Sequence, residues 1–229
     1  MKLLALDSAL DAVSAAALVT ADGSAERLAV ATEPGATGHA ERLMDLVAAV
    51  LGEAEIDVSA LDRIAVTIGP GSFTGVRIAL STARGLGLAL GIPVVGITTL
   101  AVLAASARGA IPCPVTAAID ARRGLVYAQS FNEAGLPIDA PALLPVDVVA
   151  TRLAPGAILA GSGAPLIAGY CTAQAHADHP TPTVSPLDVG VLGRLGAAAD
   201  PASHPPEPLY LRPPDAKPAA PNTLRARPA

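Results

Sequence analysis

The chain has 229 residues, 52% hydrophobic and 15% charged, with a formal net charge of −5 and a pI near 5.3. A mean hydropathy of +0.50 excludes a disordered chain, which needs low hydrophobicity and high net charge. The acidic balance gives no global field for gripping nucleic acid or an anionic membrane, and two cysteines, Cys113 and Cys171, are too few for a disulfide scaffold.

Residues 2–7 (KLLALD) read as a buried strand, and Asp11 marks a tight turn. VSAAALV (13–19) and ERLAVA (26–31) follow as strands, with Asp22-Gly23 as the hairpin turn between them. From His39 to Leu51 the apolar residues Leu43, Leu46, Val47, Val50 and Leu51 recur at helical spacing. DRIAVTI (62–68) is the next strand, and Gly69-Pro70-Gly71 turns the chain into a helix from Phe73 to Leu90. IPVVGI (92–97) is a strand, and Thr98 or Thr99 caps a helix running to Arg108. The uncharged run between Arg84 and Arg108 is nominally long enough to span a bilayer. Gly91-Ile92-Pro93 and Gly96 break it, however, into a helix end, a strand and a new helix. Asp7 also interrupts the first apolar run too early for a signal peptide, so a soluble, cytoplasmic protein with no membrane contact is expected.

At 115–131 the opening pattern returns as VTAAIDARRGLVYAQSF: strand, Asp, turn, strand. LALDS (4–8) and AAIDA (117–121) thus head two halves of similar build, which points to a duplicated α/β domain. An antiparallel opening followed by alternating strands and helices suggests two lobes of the actin-like (sugar kinase and Hsp70-type ATPase) class, with mixed sheets covered by helices. The expected division is 1–108, 109–212 and a Pro-rich mobile tail at 213–229. In the second half AILAG (157–161) is a short strand, with helices around 164–175 and 186–199. The last 29 residues hold nine prolines, and EPLYLR (207–212) is the one apolar cluster there, expected to dock back onto the domain.

Several segments carry chemistry on paper. In Ile68-Gly69-Pro70-Gly71-Ser72-Phe73-Thr74-Gly75-Val76-Arg77, glycines lie between a strand and a helix. Such a loop cradles an anion with its backbone N–H groups, or is simply a tight turn capped by Ser72 or Thr74. It matches neither nucleotide fingerprint. The helix after it carries Gly75, Ala79, Ala83, Gly85 and Gly87, and each helical glycine costs about 1 kcal/mol relative to alanine. Close approach of another helix offsets that cost, either from a partner chain or from within. Arg77, Ser81, Arg84 and Leu88 form a second stripe. Asp7, with Ser8 beside it, and Asp120 end the first strands of the two halves, where an actin-like ATPase holds metal-bound phosphate; a turn carboxylate is the plain alternative. Gly161-Ser162-Gly163 is a further weak candidate for nucleotide contact. Cys171, His176 and His179 lack zinc spacing, so no metal site is expected. A Ser72-His39-Asp7 hydrolase lacks the G-x-S-x-G elbow.

The run GPGSFTGVRIALSTARGLGLALGIPVVGITTL (69–100), the LALDS opening, the His39-Ala40-Glu41-x-Leu43 helix, IDARRGLVY and EPLYLRP together resemble the TsaB (YeaZ) family over residues 1–212. The resemblance implies a two-lobed actin-like fold and a non-catalytic partner of TsaD in making threonylcarbamoyladenosine next to the tRNA anticodon. TsaD would perform the transfer, the ATPase TsaE would join the assembly, and tRNA would be reached only through the complex. The helices at 39–51 and 74–90 would form the dimer surface, with TsaD or with a second copy of the chain. That surface would carry His39, Glu41, Leu43, Gly75, Arg77, Ala79, Ala83 and Leu86. In the catalytic relative a His-x-x-x-His metal pair follows the next strand; the matching positions here are Thr99 and Leu103, so the metal is expected to be absent. No cofactor is expected, ATP being used by the partner subunits. The alternatives are an actin-like ATPase or phosphotransferase, with a cleft at Asp7, Ser8, Asp120, Gly161 and Gly163, and a metal-independent peptidase using Ser72.

Overall fold

A computed structural model describes residues 1–20, 25–35, 39–174, 182–183 and 187–212; the Asp22-Gly23 turn, His176, His179 and the 213–229 tail lie outside these. The first sheet is built from β1 (Lys2–Asp7), β2 (Ala12–Val19), β3 (Arg27–Pro34), β4 (Arg63–Thr67) and β5 (Val94–Ile97) in the order β3-β2-β1-β4-β5. β1 pairs antiparallel with β2, Asp7 opposite Ser14, and parallel with β4, Leu6 opposite Val66. The second sheet holds β6 (Val115–Asp120), β7 (Leu125–Phe131), β8 (Ala142–Pro145), β9 (Ile158–Ala160) and β10 (Pro182–Thr183), in the order β10-β9-β6-β7-β8. Read from its far edge, this is the first sheet again: third, second, first, fourth, fifth. β6 likewise pairs antiparallel with β7 and parallel with β9. The pentapeptide echo therefore marks a repeated topology, and the two-lobed α/β class expected from the sequence is the class observed.

Helices fill the layers. α1 (His39–Glu53) and α2 (Phe73–Leu90) cover one face of the first sheet, closing a core that includes Leu4, Leu6, Leu43, Val47, Val50, Ile64, Val66 and Leu80. α3 (Thr99–Arg108) belongs by sequence to the first half but packs on β6, β7 and β9 of the second sheet. α6 (Val189–Ala198) comes from the second half and packs on β1, β2, β4 and β5 of the first. The two helices touch, so one core, running from Leu3 and Leu18 through Leu100 and Leu103 to Ile119 and Leu192, joins both sheets. α4 (Val146–Ala150) and α5 (Ala164–Ala173) close the outer face of the second sheet around Leu159 and Ile167. Among the described residues no helix is long and apolar enough to cross a membrane, and the uncharged run after Arg84 resolves into the end of α2, β5 and α3.

Local chemistry explains the element ends. Ser72 caps α2 by accepting from Gly75 N, and Thr98 caps α3 by accepting from Ala101 N at 3.1 Å. Gly91, left-handed at φ 67°, stops α2. α6 shows a device with no local signal: Arg63, on β4, donates from Nη1 to the carbonyls of Gly196, Ala197 and Ala199 at 2.9, 3.2 and 2.7 Å. A guanidinium there satisfies the last carbonyls of the helix and complements its dipole. The β8 strand and α4 fall in a stretch without periodic signal; ALLP and VDVVA are too short to show one.

The β6–β7 turn is strained. Arg122, Arg123 and Gly124 all have positive φ, at 65°, 57° and 72°. Leu125 N donates to Arg122 O at 3.1 Å, so Arg123 and Gly124 are the central pair of a tight turn of the left-handed kind that favours Asn-Gly. A left-handed conformation costs an ordinary side chain about 1–2 kcal/mol. The double substitution Arg122→Gly with Arg123→Asn is therefore expected to stabilise the chain by about 1–2 kcal/mol, read as a raised urea midpoint at unchanged slope.

Candidate functional site

The glycine-rich loop after β4 is held against its neighbour, the turn that follows β1. Ser72 N donates to Ala9 O at 2.7 Å, and Ser8 Oγ donates to Gly75 O at 2.7 Å. A Cβ on Gly71 would lie 2.2 Å from Ala9 O, and one on Gly75 only 1.8 Å from Ser8 O. The loop is thus clamped on the β1–β2 turn, and the N–H groups of Ser72, Gly75 and Val76 are already bonded within the chain. Of the two readings of this loop, the tight capped turn is the one observed.

The same clamp corrects the expected nucleotide cleft at its first two residues. Asp7 is 1% exposed and Ser8 fully buried, so neither lines an open cleft. Asp7 accepts from Thr67 Oγ1 at 2.5 Å and from Ala9 N at 3.1 Å. Burial pushes its carboxyl up from the ordinary 3.8 to about 6, against the lowering effect of those two bonds. Its partners are these two groups, so the paper triad with Ser72 does not assemble around it. Asp120, its counterpart in the repeat, is half-buried, accepts from Arg122 N at 2.7 Å and pairs with Arg122 Nη1 at 3.4 Å. Its own N–H donates to Ser162 Oγ at 3.1 Å. Gly161 is left-handed at φ 93°, and a Cβ there would lie 2.4 Å from Ala118 O; Gly163 donates its N–H to the same oxygen. These glycines are required by the approach of β6. At the positions of the expected metal pair's counterparts, Thr99 and Leu103 are buried, and no group of three or more potential ligands occurs among the described residues.

The small-residue stripe of α2 also faces inward. Gly75, Ala79, Ala83 and Gly87 are buried in the chain's own core, as is Leu43 of α1. As points of contact with a partner, Leu43, Gly75, Ala79 and Ala83 are therefore corrected: the close approach that offsets their propensity cost is internal. Leu86 is half-buried against the same core, while Glu41 and Arg77 are exposed. His39 opens α1, and its side chain lies outside the described residues.

What α2 offers to solvent is its other stripe. Thr74, Arg77, Ser81, Arg84 and Leu88 are exposed and follow one another at three- and four-residue steps, the spacing of a helix-docking seam. Leu88, at 86% exposure, is a bare aliphatic side chain, and Met44 on the neighbouring α1 is exposed as well. Phe73, Thr74, Arg77, Ile78, Ser81 and Thr82 line an open groove of about 370 Å³. At its upper end Arg77 lies over the Phe73 ring, 3.7 Å from its centroid, and donates from Nε to Tyr210 Oη at 2.9 Å. Tyr210 belongs to the EPLYLR segment, which docks as expected: Leu209 N donates to Ile68 O at 2.8 Å, and just before the segment His204 O accepts from Gly96 N at 2.9 Å. The spacing of Arg77, Ser81, Arg84 and Leu88 was the signal in the sequence for this face; which stripe of α2 points outward was not.

A family model described as "TsaD: tRNA N6-adenosine threonylcarbamoyltransferase" matches residues 18–199. The chain is 36% identical over 220 residues to an uncharacterized protein of Mycobacterium tuberculosis, covering 95% of this chain and 94% of that one. It is 37% identical over 133 residues to the tRNA threonylcarbamoyladenosine biosynthesis protein TsaB of Escherichia coli, covering 58% and 55%. Among solved structures, YeaZ from Pseudomonas aeruginosa superposes with a TM-score of 0.71 at 32% identity, covering 92% of this chain and 99% of that chain.

Proposed function

This chain belongs to the TsaB (YeaZ) family, and from that membership we propose that it is a non-catalytic subunit in the formation of threonylcarbamoyladenosine in tRNA, docking TsaD through the outer face of α1 and α2. The observation that carries the docking role is the exposed seam of Thr74, Arg77, Ser81, Arg84 and Leu88 beside the groove. An apolar residue as bare as Leu88 in a regular three-four stripe suits a partner helix better than water. Thr74 and Ser81, with short side chains, let a partner's backbone come near. The chemistry is left to TsaD, with TsaE completing the assembly. No nucleotide or metal of its own enters this reading: the residues facing the groove hold no nucleophile with a base beside it, and Ser72 is engaged as the cap of α2.

The test uses exposed positions, where substitution spares the core. Leu88→Glu combined with Ser81→Arg is expected to leave stability within about 0.5 kcal/mol of the parent. It is expected to weaken TsaD binding by at least 100-fold, measured by calorimetry, and to remove the stimulation of threonylcarbamoyl transfer by TsaD and TsaE. The parent chain alone should transfer no threonylcarbamoyl group. Normal TsaD binding by the double variant, or transfer by the isolated chain, would sink the reading.

A further inference from the structure

The C-terminal segment links two sets of cations. From its contact with Arg77 at Tyr210, the chain runs two residues to Arg212, a span of at most about 7 Å. Arg212 donates from Nη2 to Ala121 O at 2.8 Å, and Ala121 is the residue before Arg122 and Arg123. Arg212 therefore reaches the β6–β7 turn that carries Arg122 and Arg123, and lies two residues along the chain from Tyr210, whose ring centroid is 5.7 Å from that of Phe73. The Arg122 side chain is 85% exposed, and Arg123 is exposed; Arg212 is half-buried. Among the described residues, Asp120 pairs with Arg122 at 3.4 Å, and Glu207 lies farther back on the segment. In a chain with 20 acidic and 15 basic residues, such a grouping is a local reversal of sign. The turn itself would be better served by glycine and asparagine, so what the two left-handed arginines add is charge presented outward.

We propose that this edge binds RNA: Arg212, Arg122 and Arg123 hold phosphates of the backbone, and the half-exposed Tyr210 ring offers a stacking surface for a base beside them. Arginine forks suit phosphate oxygens in two-point contact, and an aromatic face next to a cationic track is the arrangement that grips a flexible strand without reading its sequence. An acidic polypeptide would use the arginines but not the ring. That the RNA is tRNA rests on the function proposed above; the phosphate chemistry does not. The edge adjoins the docking seam at Arg77 but is separate from it, so a strand lying here would run alongside a partner seated on α1 and α2.

The experiment follows binding of an unmodified tRNA transcript to the full chain by fluorescence anisotropy between 25 and 200 mM KCl. Three phosphate contacts predict a slope of log affinity against log salt of about −2 to −3. The Arg122→Gly, Arg123→Asn variant keeps the turn and is expected to be more stable than the parent, so misfolding cannot explain a loss. It should bind about tenfold more weakly at 50 mM KCl, with a slope shallower by about 1.5, while its affinity for TsaD is unchanged. Equal tRNA affinity and slope in parent and variant, no binding by the parent at 25 mM KCl, or displacement of tRNA by polyglutamate as readily as by an RNA oligonucleotide would each overturn the proposal. Failure of the RNA arm with TsaD binding intact leaves the docking role standing; loss of TsaD binding with the RNA arm intact does the reverse.

Discussion

Gly75→Ala is expected to cost the chain about 3–5 kcal/mol, a large share of the roughly 5–15 kcal/mol of stability an ordinary domain possesses. The new methyl would lie 1.8 Å from the carbonyl oxygen of Ser8, and the obstacle is backbone, which cannot swing aside as a side chain can. Forcing the start of α2 away from the β1–β2 turn is an overpacking cost of about 1–3 kcal/mol. The bonds from Ser8 Oγ to Gly75 O and from Ser72 N to Ala9 O are lost with the clamp, at about 1 kcal/mol each. Gly85→Ala, ten residues along the same helix, is the matched comparison: Gly85 is exposed and its Cβ would meet nothing within 4 Å. There alanine should stabilise by about 0.5–1 kcal/mol. Urea denaturation of the two variants should therefore move in opposite directions; a loss below about 1 kcal/mol for Gly75→Ala would show that the clamp does not hold the loop.

The second large effect is a fall in stability with rising pH between about 4 and 6. Asp7 has its folded-state carboxyl raised to about 6 by burial, against 3.8 ordinarily. A carboxyl with a raised folded pKa binds its proton more tightly in the native state, so the native state is favoured at low pH and loses that advantage as the solution passes through the window. At about 1.4 kcal/mol per pH unit, the gap amounts to about 3 kcal/mol above pH 6. Asp57 and Asp200 work in the opposite sense: their carboxyls are held low by hydrogen bonds from Ser59 and Ser203, and they lose stability only as the pH falls through values below the Asp7 window. Asp7→Asn keeps an acceptor for Thr67 and Ala9 while removing the charge. It should flatten the profile from pH 4 to 6 and gain about 1–2 kcal/mol at pH 8, after the cost of burying its amide hydrogens. A parent profile that is flat, or that rises with pH through this window, would remove Asp7 as its source.

The sequence shows what repeats and what is capped better than what is near. β1, α2 and α3 could be bounded almost to the residue because hydrophobic period, Ser72, Thr98 and Gly91 are local signals. The demand of α2 for small residues was equally visible, but the atoms that make the demand, Ser8 O above Gly75 and Val94 beside Gly87, come from other elements. Hence the stripe could be read as an interface when it is a core. Asp7 and Asp120 illustrate the same limit: alike in sequence and in strand position, one is buried with Thr67 and Ala9 as its hydrogen-bond partners and the other is partly exposed at an arginine-bearing turn. Arg63 capping a helix more than 130 residues away, and Arg212 reaching Ala121, are likewise tertiary facts with no local trace.

The exchange of α3 and α6 bears on how the chain is made. The first sheet is complete in sequence by residue 97, but the helix that covers its second face ends at residue 198. A ribosome adding roughly 5–20 residues per second leaves that face open for about 5–20 s while the second lobe is still being synthesised. During that interval Leu3, Ala5, Ala16, Leu18 and Ala65 present an apolar surface, with nothing yet made from their own half to cover it. The first sheet therefore reaches its final packing only after α6 has left the exit tunnel, so the two halves complete their folding together.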